Sequence, residues 1–404
     1  MNRSLFILLC GLFVIMTGYG VTLSVLPFHI ERMALAEGTG QDQASIHVGL
    51  ITGLFAFMQF FFAPLWGRIS DRMGRRAILL IGMFGFAMAN FMFGLSTNLT
   101  MLYVSRFIGG SLSAAVLPVT AAFVSDLTSE DQRGKGMAWM GSAAGLGVML
   151  GPALGGLLAG VQFSNAIRLG HFAFGAFSLP FFAAGGFALA ALLAILLLLR
   201  DPADQMPDVP IIRSHSVMSH MLKRRSFRRV LSLSFLAQFA MAMFEGTFAL
   251  HAGPVMGLGP SEMGLVLMVC GFVMAAAQGG VISWVIDRTP EARLIFWGLV
   301  IMGTALILLM VSKNMASVLM LTALFGFGMA IIIPVLAALV SRDSNANAGI
   351  VMGMQNAVNS LGQATGPLAG GFLLTLSLHL PYLLAGVALL AAAIMLVWQV
   401  PRAP

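Results

Sequence analysis

The chain has 404 residues, of which 59% are hydrophobic and only 9% charged, with a mean hydropathy of +0.93. Water-soluble globular proteins carry about 25% charged residues, so this composition excludes a water-facing surface and fits a lipid-facing one. The net charge of +7 and the pI of about 10.2 would suggest nucleic acid in a soluble protein, but the placement of the charges gives another explanation.

A membrane-spanning helix needs about 20 mostly apolar residues, and twelve such runs follow one another. The first, 4–27, is too long for a signal-peptide core, lacks a small-residue cleavage site, and holds Tyr19 between Gly18 and Gly20. The second, 46–69, contains Gln59 and leads into Gly67-Arg68-Ile69-Ser70-Asp71-Arg72-Met73-Gly74-Arg75-Arg76. The third is 77–96; the fourth, 101–126, encloses Arg106 and ends on Asp126. The fifth, 134–160, carries Gly147, Gly151, Pro152, Gly155 and Gly156. Residues 161–177 read as an outer loop before the sixth run, 178–199.

The longest polar stretch, 200–229, has Pro202, Pro207 and Pro210 and a basic patch, and reads as a cytoplasmic linker between halves 1–199 and 230–404. The seventh run, 230–253, contains Gln238 and Glu245; the eighth, 262–286, contains Gln278. The ninth and tenth are 292–311 and 316–341. The eleventh, 348–374, carries Gln355, Asn356 and Asn359, then Gly362, Gly366, Pro367, Gly370 and Gly371; the twelfth is 380–400.

With a cytoplasmic N-terminus, only Arg32, Arg168 and Lys313 of the 22 Lys and Arg residues fall outside, and Arg106 lies within a span. The remaining 18 fall inside, which by the positive-inside rule places both termini in the cytoplasm and accounts for the pI. Residues 223–229 then act as a topology anchor rather than a specific anionic-lipid site. Cys10 and Cys270 lie in separate apolar runs, so neither a disulfide framework nor a metal site is expected. His47, His171 and His251 form no cluster, which argues against zinc, and no cofactor is implied.

The chain repeats itself. The Gly147–Gly156 pattern recurs at an offset of 215 residues, and Pro118 and Asp71-Arg72 recur as Pro334 and Asp287-Arg288 at an offset of 216. Six spans per half give both halves the same orientation. A site near the bilayer midplane between two such halves can open alternately to either side.

These residues resemble a known family. Gly67 to Arg76 matches the loop 2–3 signature of the major facilitator superfamily, and Arg106 with Gly110 follows its fourth-helix pattern. The run from Gly147 to Gly156 is similar to the family's antiporter motif. The resemblance covers the chain and implies an all-α membrane protein of twelve transmembrane helices, of the drug:proton antiporter group found in bacterial inner membranes. It also implies that Asp71 faces the start of the eleventh helix and that Arg75 pairs with Asp126. Gly67, Asp71, Gly74, Arg75 and Asp126 would then form a cytoplasmic latch rather than a simple anchor. In the second half Ser283 replaces Gly67 and Thr289-Pro290 replace the basic end, so a weaker latch is expected there.

Small residues at four-residue spacing in spans five and eleven make a groove for a neighbouring helix. Of 15 acidic residues only Glu245 is well inside a span. A carboxyl removed from water can take up and release a proton at physiological pH, so Glu245 is the expected proton carrier or the counter-charge for a cation, against a structural carboxyl. Arg106 is tied to proton movement by the resemblance; the alternative is a structural post for carbonyls. Tyr19, Gln59, Gln238, Gln278, Gln355 and Asn359 are candidates to line a substrate cavity, or else bond helix to helix. The expected function is proton-coupled export of small amphipathic compounds by a monomer whose partners are lipid, protons and substrate, without nucleic acid. An uptake symporter for a sugar or organic acid is the rival, and it calls for more polar cavity residues than this chain has. No nucleophile–base or metal constellation suggests an enzyme.

Overall fold

A computed structural model describes residues 3–129, 132–161, 167–169, 172–174, 177–199, 221–279, 285, 288–342 and 348–399. Helix α1 (Arg3–Ala36) runs past Pro27, where the sequence suggested an end. A proline removes one helical hydrogen bond without having to end the helix. Helices α2 (Gln41–Met73) and α3 (Arg75–Gly94) are separated by Gly74 alone. The fourth span is broken into α4 (Leu99–Ser113) and α5 (Val116–Leu127), and α6 is Arg133–Ala159.

The segment read as an outer loop contains two short antiparallel strands, β1 (Ile167–Leu169) and β2 (Phe172–Phe174), with Arg168 opposite Ala173. Helix α7 is Ser178–Leu198. Helix α8 (Arg225–Met256) begins inside the basic patch assigned to the linker; α9 is Pro260–Gly279. Helices α10 (Glu291–Leu309), α11 (Met315–Arg342), α12 (Ala348–Leu376) and α13 (Leu380–Gln399) complete the chain.

Among the described residues ten helical stretches are long and apolar enough to cross a membrane, with Leu99–Leu127 counted as one. The other two expected spans are present as helices. Helix α12 is 29 residues long but carries Gln355, Asn356, Asn359 and Gln363, and the apolar part of α13, Leu380–Leu396, is short.

The break in the fourth span has a local cause. Pro118 offers no N–H to the Ala114 carbonyl and its ring crowds that group. Ala115 N turns to Leu112 O at 3.2 Å, leaving Ser111 O without its helical donor. The Trp66 indole N–H takes that carbonyl at 2.6 Å, tying α2 to the break. The corresponding Pro334 lies inside an unbroken α11.

The chain packs as two compact units, Met1–Asp208 with Gly257–Met268, and Val209–Met256 with Val269–Pro404. In the first, α1 lies along α6 and α7, and α3 lies against α4 and α7. Leu8, Leu12 and Ile15 of α1 meet Met83 and Phe86 of α3, Val119 and Phe123 of α5, and Ile195 of α7 in one apolar core. In the second, α8 lies along α12, and α10 packs on α11 and α13. Met221, Phe227 and Leu231 close its α8 end against Val340 and Val351.

Candidate functional site

The positions of the embedded charges follow from how the long helices pair. In the first unit α1 is held to α6 at backbone distance. A Cβ on Gly147, Gly151 or Gly155 would fall within 3.0 Å of α1 backbone atoms, including carbonyls of Phe13, Thr17 and Val21. Pro152 is buried on the same helix and faces Gly20. Gly156 faces the start of α9, where the Ser261 hydroxyl donates to Gly156 O at 3.0 Å. The second unit repeats the pairing between α12 and α8. A Cβ on Gly362 or Gly366 would crowd Phe235 O or Phe239 O, and one on Gly370 would crowd Thr247. Pro367 and Gly371 are buried there.

Glu245 lies mid-way along α8, half-buried beside the buried Phe244 and Gly246. It forms no ion pair or hydrogen bond with a described residue, and the Cys270 thiol of α9 is within electrostatic range of it. Toward the α8 N-terminus, Gln363 donates to Gln238 over a long 3.4 Å. Gln355 is buried and donates to Ser234 at 3.1 Å, which joins α12 to α8. Asn359 Oδ1 is buried with no donor among the described residues. Gln278 is exposed on α9.

Arg106 occupies the interior of the first unit at 8% exposure. Its guanidinium carbon lies 4.7 Å from the Phe93 ring centre and 5.2 Å from that of Phe55, a cation held between two aromatic faces. Tyr19 interacts with Arg106 electrostatically, and its ring lies 6.0 Å from Phe55. Gln59 is half-buried on α2. A cavity of about 10 Å³ lies beside Arg106, lined also by Asn90 and Ser105.

Asn90 was missed in the sequence. Its Oδ1 accepts from Thr22 at 2.9 Å and its Nδ2 donates to Phe86 O at 2.9 Å. An amide in an otherwise apolar span is the signal that marks it. His29 was missed too: it is buried, 2.9 Å from the Ser96 hydroxyl, with Phe93 and Phe181 around it.

At the end of α2, Arg75 gathers three partners. Its guanidinium pairs with Asp71, with Asp126 at 3.1 Å, and with the Ser70 hydroxyl at 2.8 Å. Gly74 has φ +94°, a backbone that glycine adopts without strain. Gly67 differs: a side chain there would meet nothing within 4 Å, so its glycine is not required by a close approach in this structure. The residues just before Ala348, which the resemblance sets opposite Asp71, lie outside the described residues, as do Ser283 and Asp287.

Comparison with known proteins adds the family. The family model of the Major Facilitator Superfamily matches residues 8–359 and 279–404. "Multidrug resistance protein 2" of Bacillus subtilis (strain 168) is 29% identical over 403 residues, covering 97% of this chain and 94% of that protein. "Quinolone resistance protein NorA" of Staphylococcus aureus (strain COL) is 25% identical over 404 residues, covering 100% and 98%. Among solved structures, a D-xylose-proton symporter superposes with a TM-score of 0.78 at 16% identity, covering 98% of this chain and 97% of that one, a likeness of fold.

Proposed function

Since the chain belongs to the Major Facilitator Superfamily, we propose that it is a proton-coupled exporter of small amphipathic or drug-like compounds that works by alternating access. The names of its multidrug- and quinolone-resistance relatives support the direction and the substrate class. The observation that carries the coupling is Glu245, a carboxyl deep in α8 without an ion-pair partner among the described residues. An unpaired acid at that depth is costly in both protonation states unless it exchanges its proton or meets a cation. We assign it the proton, in competition with cationic substrate. The two halves, 1–199 and 230–404 joined through 200–229, are the bodies that rock, with both termini on the cytoplasmic side of the bacterial inner membrane and the chain acting as a monomer.

Transport by inside-out vesicles tests this. With an acid interior, a fluorescent cationic dye accumulates in vesicles carrying the wild-type chain, and a protonophore abolishes the accumulation. Glu245→Gln keeps the size and hydrogen bonding of the side chain but cannot cycle a proton, so at matched expression it loses accumulation. Normal pumping by that variant would route the proton elsewhere. Accumulation that survives the protonophore would mean no proton coupling.

A further inference from the structure

Glu245 does not stand alone on its side of α8. At 3.6 residues per turn, Gln238 and Met241 fall on the same face, two turns and one turn before it. All three are half-buried, while Ala237, Ala240, Ala242 and Phe244 between them are buried. Packing within the second unit therefore leaves a strip of amide, thioether and carboxyl open. From α12, which lies along α8, the exposed Gln363 donates to Gln238 Oε1 over 3.4 Å. That bond is a poor strut, being long and exposed. The buried Gln355–Ser234 bond at 3.1 Å already ties the same two helices together.

The bond between the two amides uses one hydrogen of Gln363 and one lone pair of Gln238. The Gln238 NH2 and the Gln363 carbonyl are left without a partner among the described residues. They present a donor beside an acceptor, which is the complement of another amide. Seven residues of helical rise put Glu245 about 10 Å further along the strip, where its carboxyl suits a cation. Met241 lies between them, an apolar and adaptable surface. We propose that this strip holds an elongated molecule with a cationic amine at one end and a primary amide or lactam at the other, joined by an apolar body. The amine meets Glu245 and the amide meets Gln238 and Gln363, which makes Gln363 a specificity-determining residue. This deepens the exporter reading and rests on it.

Equilibrium binding to the full chain, purified in detergent, tests this without transport or a proton gradient. A failure here leaves the vesicle result standing, and a failure there does not alter the ratios measured here. The first probe is a biphenyl with an aminomethyl group at one end and a carboxamide at the other, which spans about 10 Å, the two helical turns between Gln238 and Glu245. The second is its N,N-dimethylamide, which cannot donate, and the third is the aminomethylbiphenyl without an amide. The carboxamide should bind about tenfold more tightly than either control, the size expected of two modest hydrogen bonds. Gln363→Leu should bring that ratio close to one. Should Gln363→Leu not fold, Gln363→Asn, which draws the amide back by one methylene, should lower the ratio. Aminomethylbenzamide has the same groups closer together and should gain nothing over benzylamine. The proposal falls if the wild type does not prefer the carboxamide, binding none of the biphenyls included, or if the short pair shows the same gain. It falls equally if Gln363→Leu keeps the full preference, or if Gln363→Leu does not fold and Gln363→Asn keeps it.

Discussion

At the scale of single residues, Glu245 and Arg106 are charged groups within the spans, and neither forms an ion pair among the described residues. Glu245→Asp keeps a titrating group one methylene further back on α8. It should pump at a reduced rate with a displaced pH optimum, read from initial rates of dye transport across a pH series. Cationic compounds should lose binding to Glu245→Gln while neutral ones keep it, measured by equilibrium binding to purified protein; equal affinities would leave the carboxyl no role as counter-charge. The sequence made Glu245 legible because an acid in an apolar run has few reasons to be there. It did not reveal that Gln355 is used on Ser234, since both residues are acceptable on any helix face until α12 is laid against α8.

At the scale of helices, the glycine runs are explained by the pairs they permit. Gly151→Ala would drive a Cβ into the Thr17 carbonyl and the Gly20 backbone, so it should destabilise the chain by about 1–3 kcal/mol in thermal unfolding. Gly141→Ala, on the same helix with nothing within 4 Å, should leave the melting temperature unchanged or slightly raised. Similar losses from both would remove the packing explanation. Trp66→Phe should leave Ser111 O without its donor and cost about 0.5–1.5 kcal/mol, with greater protease or hydrogen-exchange sensitivity at residues 111–118. The repeat goes further than the glycine motif. His29 and His251 stand 222 residues apart, in the same register by which Thr17 meets Gly151 and Phe239 meets Gly366. The offset differs from 215 because the connections between helices differ in length, which is why the sequence alone did not align these two histidines.

At the scale of the whole molecule, the cluster around Arg75 is the candidate latch. Both carboxylates it holds are substantially exposed, so each pair on its own contributes at most about 1 kcal/mol. A change of that size still shifts a balanced two-state equilibrium several-fold. Asp71→Asn should therefore leave folding intact while moving spin-label distances between the inner ends of the halves toward longer values. An unchanged distance distribution together with normal transport would reduce the motif to a topology anchor.

Composition and periodicity determined by themselves that the chain lies in lipid, how many apolar runs it has, and that it is a duplicated structure. Those properties depend on transfer free energy summed over about 20 residues, which needs no knowledge of neighbours. Tertiary structure alone decided that Pro118 breaks its helix while Pro334 does not, that Gly74 needs its glycine while Gly67 has open space around it, and that Arg106 sits between two phenylalanines beside a small cavity. Each of these depends on distances of a few ångströms between residues far apart in the chain. In a membrane the hydrophobic effect places helices across the bilayer without choosing their partners, and close packing and scarce hydrogen bonds make that choice.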